Sequence, residues 1–213
     1  YENKLRSSDA LDFDDLLIRT LQLFVDHPPV RDYYKRKFRY VHVDEYQDTN
    51  VAQQHIVSLL AKENQKVCVV GDDAQSIYAF RGANIDNILD FQQQYPGTRL
   101  IRLERNYRST QNIVNAANSL IRHNEGQIRK NVFSENEVGE KITCFSTPSD
   151  LEEAKVICNE IKKIKRETDS LYSDFAVLYR TNAQSRQFEE QMRSMNIPYR
   201  VFGGLSFYQR KEI

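Results

Sequence analysis

The chain has 213 residues, enough for one large domain or two small ones at roughly 100–200 residues each. Thirty Lys and Arg balance thirty Asp and Glu, so the formal net charge is +0; this excludes a histone-like basic protein but not a local basic or aromatic groove for nucleic acid. A hydrophobic share of 40% and a charged share of 28% exclude a disordered or fibrous chain, and no apolar run approaches the ~20 residues of a membrane helix.

The chain begins at Tyr1 rather than Met, and Gln209–Ile213 carries no terminating signal, so an excised piece of a longer protein is expected. Leu11, Leu17, Ile18, Leu21 and Phe24 fall at helical spacing, with Asp9 as the expected cap and Pro28-Pro29 as the stop. A polar-aromatic piece follows from Tyr33 to Phe38. Tyr40–Val43 reads as a strand ending at Asp44-Glu45, and Gln53–Lys62 as a helix. The run Val67–Val70 suits a strand buried on both faces of a parallel sheet, and it stops at Gly71-Asp72-Asp73.

Ile85–Phe91 predicts a helix and Arg99–Leu103 a strand. Ser109 is placed to cap a helix running to Ile121, and Asn124–Gly139 is a loop candidate. Ser149 and Glu152 form a capping box before a helix through Ile164. Phe175–Tyr179 and Tyr199–Phe202 read as strands around a helix from Ala183 to Met195. This alternation predicts an α/β fold with mostly parallel sheets and a domain boundary near Arg99–Asn106. No internal repeat is present. Cys68, Cys144 and Cys158 are far apart and form no Cys-x-x-Cys pair, so neither zinc nor a disulfide framework is expected, and the default setting is reducing and cytoplasmic. The four histidines have no metal spacing.

Two predicted strands end in acids, Asp44-Glu45 and Asp72-Asp73. Ligands of open α/β sheets bind beyond the carboxyl ends of strands. Acids there can hold Mg²⁺, which prefers oxygen ligands. An apolar strand ending in Asp has the form of a Walker B element, with the adjacent Glu45 placed to activate water. The plain alternative is that such acids cap the next helix.

The surrounding blocks change the weighting. They are Asp44-Glu45-Tyr46-Gln47-Asp48-Thr49-Asn50, then Gly71-Asp72-Asp73-Ala74-Gln75-Ser76-Ile77-Tyr78-Ala79-Phe80-Arg81-Gly82-Ala83, then Leu103-Glu104-Arg105-Asn106-Tyr107-Arg108-Ser109-Thr110. With Leu11–Leu17, Ala176–Arg186 and Ile197–Gly204, they make the chain resemble, over essentially its whole length, the UvrD/PcrA/Rep family of superfamily-one DNA helicases. The three long blocks look like motifs II, III and IV of that family.

The resemblance implies parts of two RecA-like P-loop-type domains after a short helical segment. Residues 1–38 would be the tail of a helical inserted subdomain, 39–97 the C-terminal part of the first RecA-like domain, and 98–213 the N-terminal part of the second. It implies ATP and Mg²⁺ as cofactors. Asp44 would hold Mg²⁺, Glu45 would be the general base, Gln75 would sense the γ-phosphate, Arg108 would be an arginine finger and Tyr107 would stack on adenine. Tyr78, Phe80 and Arg81 would grip single-stranded DNA, with Asn182 near it; where the family commonly has Trp, this chain has Phe80. The implied partners are single-stranded DNA, duplex junctions and repair proteins, with no membrane. Family membership implies 3′-to-5′ movement in repair or replication.

None of the seven glycines is followed by Lys, so the P-loop pattern is missing and this chain alone is expected not to hydrolyse ATP. The alternatives are a subunit of a RecB- or AddA-like helicase-nuclease, a metal-dependent nuclease using Asp44, Glu45, Asp72 and Asp73, and a non-catalytic binding module.

Overall fold

The computed structural model describes residues 1–63 and 65–202, so Gly203 and Gly204 of the last sequence block, and the Gln209–Ile213 end, lie outside the described residues. The chain divides into two units, Tyr1–Ile142 and Thr143–Ile213.

The first unit opens with α1 (Glu2–Ser7), α2 (Phe13–Asp26) and α3 (Pro28–Lys37). Asp12, not Asp9, caps α2. Its Oδ1 accepts the Asp15 N–H at 2.8 Å, and Asp15 returns a bond to the Asp12 N–H at 3.4 Å. Asp9 instead takes a left-handed backbone, φ 48°. Pro28 is the first residue of α3, where its missing N–H leaves no helical bond unmade. Asn50 and Gln53 form a reciprocal box, both bonds 2.9 Å, that starts α4 (Val51–Ala61).

Strand β1 (Val41–Val43) pairs in parallel with β2 (Val67–Val69), Val41 opposite Val67 and Val43 opposite Val69. Val43, Val67 and Val69 pack against a core of Tyr46, Ile88, Phe91 and Tyr95. Phe91 stacks on Tyr95 at 4.6 Å and meets Tyr46 edge-on at 5.6 Å. His42, Cys68 and Val70 are exposed, so the expected burial of the second strand on both faces is corrected. With two paired strands, the core covers one face and the alternation of side chains sends every second residue outward.

The single helix expected from Ile85 to Phe91 is two short ones, α5 (Asp86–Leu89) and α6 (Phe91–Gln94), parted at Asp90. Strand β3 (Arg105–Asn106) pairs in parallel with β4 (Phe133–Ser134), which lies inside the expected loop. Among the described residues, 99–103 join no ladder. Helix α7 (Gln111–Ile121) starts after Thr110, and Ser109 spends its carbonyl on the Ser134 hydroxyl at 2.7 Å instead of capping with its side chain.

In the second unit, α8 (Asp150–Glu167) packs on α9 (Ser185–Ser194) around Cys158, Ile161, Met192 and Ile197. Ser149 accepts the Glu152 N–H at 3.2 Å, which is half of the expected box. Phe175 and Val177 pack against this core, but residues 175–179 and 199–202 form no ladder among the described residues. The molecule is a mixed helix and strand structure with small parallel sheets. No described helix is long and apolar enough to cross a membrane.

Gly71 follows β2 at a close approach. A Cβ there would lie 2.6 Å from Gln47 Oε1 and 2.8 Å from Ile88 Cδ1. Gly71→Ala is therefore expected to destabilise the chain by about 1–3 kcal/mol through overpacking, read as a lower urea midpoint at unchanged slope.

Candidate functional site

Because β1 and β2 are parallel, their carboxyl ends open on one edge. Beyond the strand ends, the Val70 N–H still bonds Val43 O at 2.8 Å and the Tyr46 N–H bonds Val70 O at 3.0 Å. The acid pairs are thus carried side by side. Asp44 is exposed, and its Oδ1 accepts the Glu45 N–H at 2.9 Å. Glu45 is also exposed and sits at φ 50°, ψ 41°, a left-handed conformation that costs a non-glycine residue roughly 1–3 kcal/mol. That turn sends the next residues, Tyr46 and Gln47, into the interior, at 0% and 1% exposed. Burial, with Tyr95 nearby, pushes the Tyr46 hydroxyl up to about 12.

Gln47 joins the two acid blocks. Its Nε2 donates to Glu45 Oε2 at 2.8 Å, and its Oε1 accepts the Asp72 N–H at 3.0 Å. Sequence reasoning assigned it nothing. The available signal was only a polar residue two positions after Glu45, and its burial depends on contacts 25 residues away.

Asp72 caps the turn Asp73–Gln75: its Oδ1 accepts the Ala74 N–H at 3.0 Å, and its Oδ2 accepts from Gln75 Nε2 at 2.9 Å. Asp73 is buried. Lys130 reaches both acids, touching Asp72 Oδ1 and lying 2.7 Å from Asp73 Oδ1. Burial alone would raise the Asp72 carboxyl, but bonds from Lys130 and Gln75 outweigh it and hold the pKa below the ordinary value. Burial likewise opposes the Lys130 charge, and its two acid partners outweigh it and raise the pKa. The depressed Asp72 pKa adds stability that is present above the ordinary Asp value of about 3.9 and is lost as pH falls through the lower folded value.

These contacts correct the nuclease alternative. Asp72 and Asp73 are committed to Lys130, and among the described residues no three His, Cys, Asp or Glu side chains converge as metal ligands. Asp44 alone, with one oxygen held by the Glu45 N–H, fits an ion such as Mg²⁺ that takes one or two carboxylates and completes its shell with water and phosphate.

Tyr78, Phe80 and Arg81 lie around the turn Ala79–Arg81, which ends at Gly82 with φ 84°. Tyr78 is 39% and Phe80 71% exposed. The Arg81 guanidinium lies 5.3 Å from one ring centre and 5.4 Å from the other, giving an exposed surface of two rings and a cation.

Tyr107 and Arg108 follow β3. The Asn106 Oδ1 accepts the backbone N–H groups of Arg108 at 2.9 Å and Ser109 at 2.8 Å, which fixes the turn. Tyr107 is exposed, with Arg105 held 4.8 Å from its ring centre and paired to Glu135 at 2.6 Å. The Arg108 side chain is exposed and makes no hydrogen bond or ion pair with the described residues. One strand edge therefore gathers Asp44, Glu45 and Gln75, while no bond joins Tyr107 or Arg108 to that group. Asn182, in the second unit, is exposed; it opens the turn Asn182–Gln184, and its carbonyl accepts the Ser185 hydroxyl at 2.8 Å.

The chain matches two family models in succession. Residues 1–96 match the UvrD/REP helicase N-terminal domain, and residues 101–213 the UvrD-like helicase C-terminal domain. Its relatives include the ATP-dependent DNA helicase PcrA of Leuconostoc citreum, 49% identical over 213 residues, and those of Staphylococcus epidermidis and Staphylococcus aureus, 50% and 49% identical. The whole chain is covered in each case, and it spans 28% of the first relative and 29% of the other two. These relatives do not favour the RecB- or AddA-like alternative. With both family models matched in order, the chain belongs to the UvrD/REP helicase family.

Proposed function

We propose that this chain is the central motor segment of a longer ATP-dependent DNA helicase, made of parts of two RecA-like domains divided as 1–38, 39–97 and 98–213. The observation that carries the reading is the joining of the Asp44-Glu45 strand tip, through Gln47, to the loop bearing Gln75. The exposed apolar residues Ile101, Leu103 and Leu178 agree with a larger assembly, since runs with a strand pattern find no ladder among the described residues.

In this reading ATP lies beyond the strand tips. Asp44 would hold Mg²⁺, which when bound would supply positive charge against the phosphates. The Glu45 carboxylate takes the proton of the water that attacks the γ-phosphorus. Gln75 contacts the γ-phosphate with its side-chain amide. The Arg108 guanidinium neutralises charge that develops as the terminal P–O bond breaks. Tyr107 stacks on the adenine. Tyr78, Phe80 and Arg81 hold single-stranded DNA by stacking and charge, with Asn182 close to the strand. Such contacts tolerate any sequence because every base has a π-face. Loss of the phosphate contacts of Gln75 and Arg108 after hydrolysis changes the grip, which yields movement along the strand, with the 3′-to-5′ direction taken from the family resemblance.

The deciding experiment is steady-state ATP hydrolysis by the full-length protein, with and without single-stranded DNA, beside the 213-residue chain alone. DNA-stimulated turnover is expected of the full-length protein and none of the isolated chain. Absence of stimulation in the full-length protein would end the motor reading. Phe80→Ala is expected to weaken single-stranded DNA binding by about 1–3 kcal/mol, the loss of one stacked base; fluorescence anisotropy with a labelled oligonucleotide measures it, and unchanged affinity removes Phe80 from the DNA site.

A further inference from the structure

Lys130 has no part in the chemistry above, yet it pairs with two acids beside it. It lies within the residues matched to the C-terminal family domain, whereas Asp72, Asp73 and Gln75 belong to the N-terminal one. Its ammonium bridges Asp72 and Asp73 from 58 and 57 residues away. Two residues earlier, the Ile128 N–H donates to the other oxygen of Asp73 at 2.7 Å, and the Ile128 side chain packs against the core of Tyr46, Ile88, Phe91 and Tyr95. Residues 128–130 are thus pinned by a buried carboxylate, an ion pair and an apolar contact.

The chain of bonds continues to the chemistry. Asp72 gives one oxygen to Lys130 and the Ala74 N–H, and the other to Gln75 Nε2. An amide nitrogen carries two hydrogens, so the bond to Asp72 leaves a second donor hydrogen on the exposed Gln75 side chain. Asp72 and Asp73 are neighbouring anions, and without a cation between them their repulsion would disfavour the placement in which Asp72 holds Gln75.

We infer that Lys130 is a positioning residue for Gln75: it anchors Asp72, Asp72 orients the Gln75 amide, and a segment of the C-terminal family domain thereby sets the aim of a side chain in the N-terminal one. The inference rests on the proposed contact of Gln75 with the γ-phosphate. Lysine suits the place because its three donors can serve two carboxylates at once.

Two measurements test it separately from that reading. In the 213-residue chain, the side-chain amide signals of Gln75 are identified by their loss in Gln75→Ala and followed by nitrogen-15 NMR. Lys130→Met and Asp72→Asn are expected to move them to the shift and water-exchange rate of a free glutamine, and Lys130→Arg to keep them near their original place. Unmoved signals in Lys130→Met overturn the inference. In the full-length protein, Lys130→Met is expected to lower the DNA-stimulated kcat by about 10–100-fold, the scale of a small misplacement, with KM for ATP within about twofold, the pattern of an interaction realised in the transition state. Lys130→Arg should recover most of the rate. On a Gln75→Ala background Lys130→Met should cost nothing further; an undiminished second loss would show that Lys130 acts independently of Gln75 and would overturn the inference. A full-length protein without DNA-stimulated turnover would refute the motor reading instead, and the amide signals would still decide the positioning role.

Discussion

Glu45→Gln in the full-length protein is expected to lower DNA-stimulated ATP hydrolysis by about 10²–10⁴-fold, the usual contribution of a positioned general base. The substitution isolates that role. Glutamine keeps the size of glutamate and an oxygen that can still accept from Gln47 Nε2, so the strand-tip turn retains its bond. What it loses is the ability to take a proton from water. The left-handed backbone at Glu45 is a further sign, since strain at a non-glycine residue persists where the surroundings over-determine it. Turnover, nucleotide affinity and thermal midpoint should be measured together. Loss of turnover at unchanged affinity and midpoint is the expected result; turnover within about twofold of the parent would remove Glu45 from the chemistry.

Arg108→Ala is expected to cost about 10³–10⁵-fold in kcat, the range for a guanidinium that stabilises phosphoryl transfer. The motif offers two arginines, and the structure distinguishes them. Arg105 is committed to Glu135 and the Tyr107 ring, whereas the Arg108 guanidinium has no partner among the described residues, and its backbone is held by Asn106. A committed cation must break contacts to reach a phosphate, and an uncommitted one need not. Arg108→Lys should recover only a small part of the rate, because a point charge lacks the planar fork that meets two phosphate oxygens. Steady-state kinetics on both variants check this. A loss from Arg105→Ala as large as that from Arg108→Ala, with Arg108→Ala near wild type, would reverse the assignment.

Much of this molecule was legible in order along the chain. The strand tips at Asp44 and after Val69 could be read because an apolar run closed by acids is a local pattern. The cap at Ser149 was equally local, because its partner Glu152 lies three residues on. Other readings failed where a local pattern needed a distant partner. Residues 99–103 and 175–179 have strand composition, but a strand exists only as a ladder, and among the described residues none pairs with them. The expected cap at Asp9 failed because Asp12 meets Asp15 in a reciprocal pair that Asp9 cannot make.

By itself, then, the order of amino acids determined the family, the acid-tipped strand pattern at Asp44 and the helix start at Ser149, because each is written in contiguous blocks of the chain. Folding decided which side chains are held, and by what. Gln47 meets Asp72 across 25 residues, and Lys130 meets Asp72 across 58. No periodicity announces such bonds, because burial and charge pairing are properties of surfaces brought together in space.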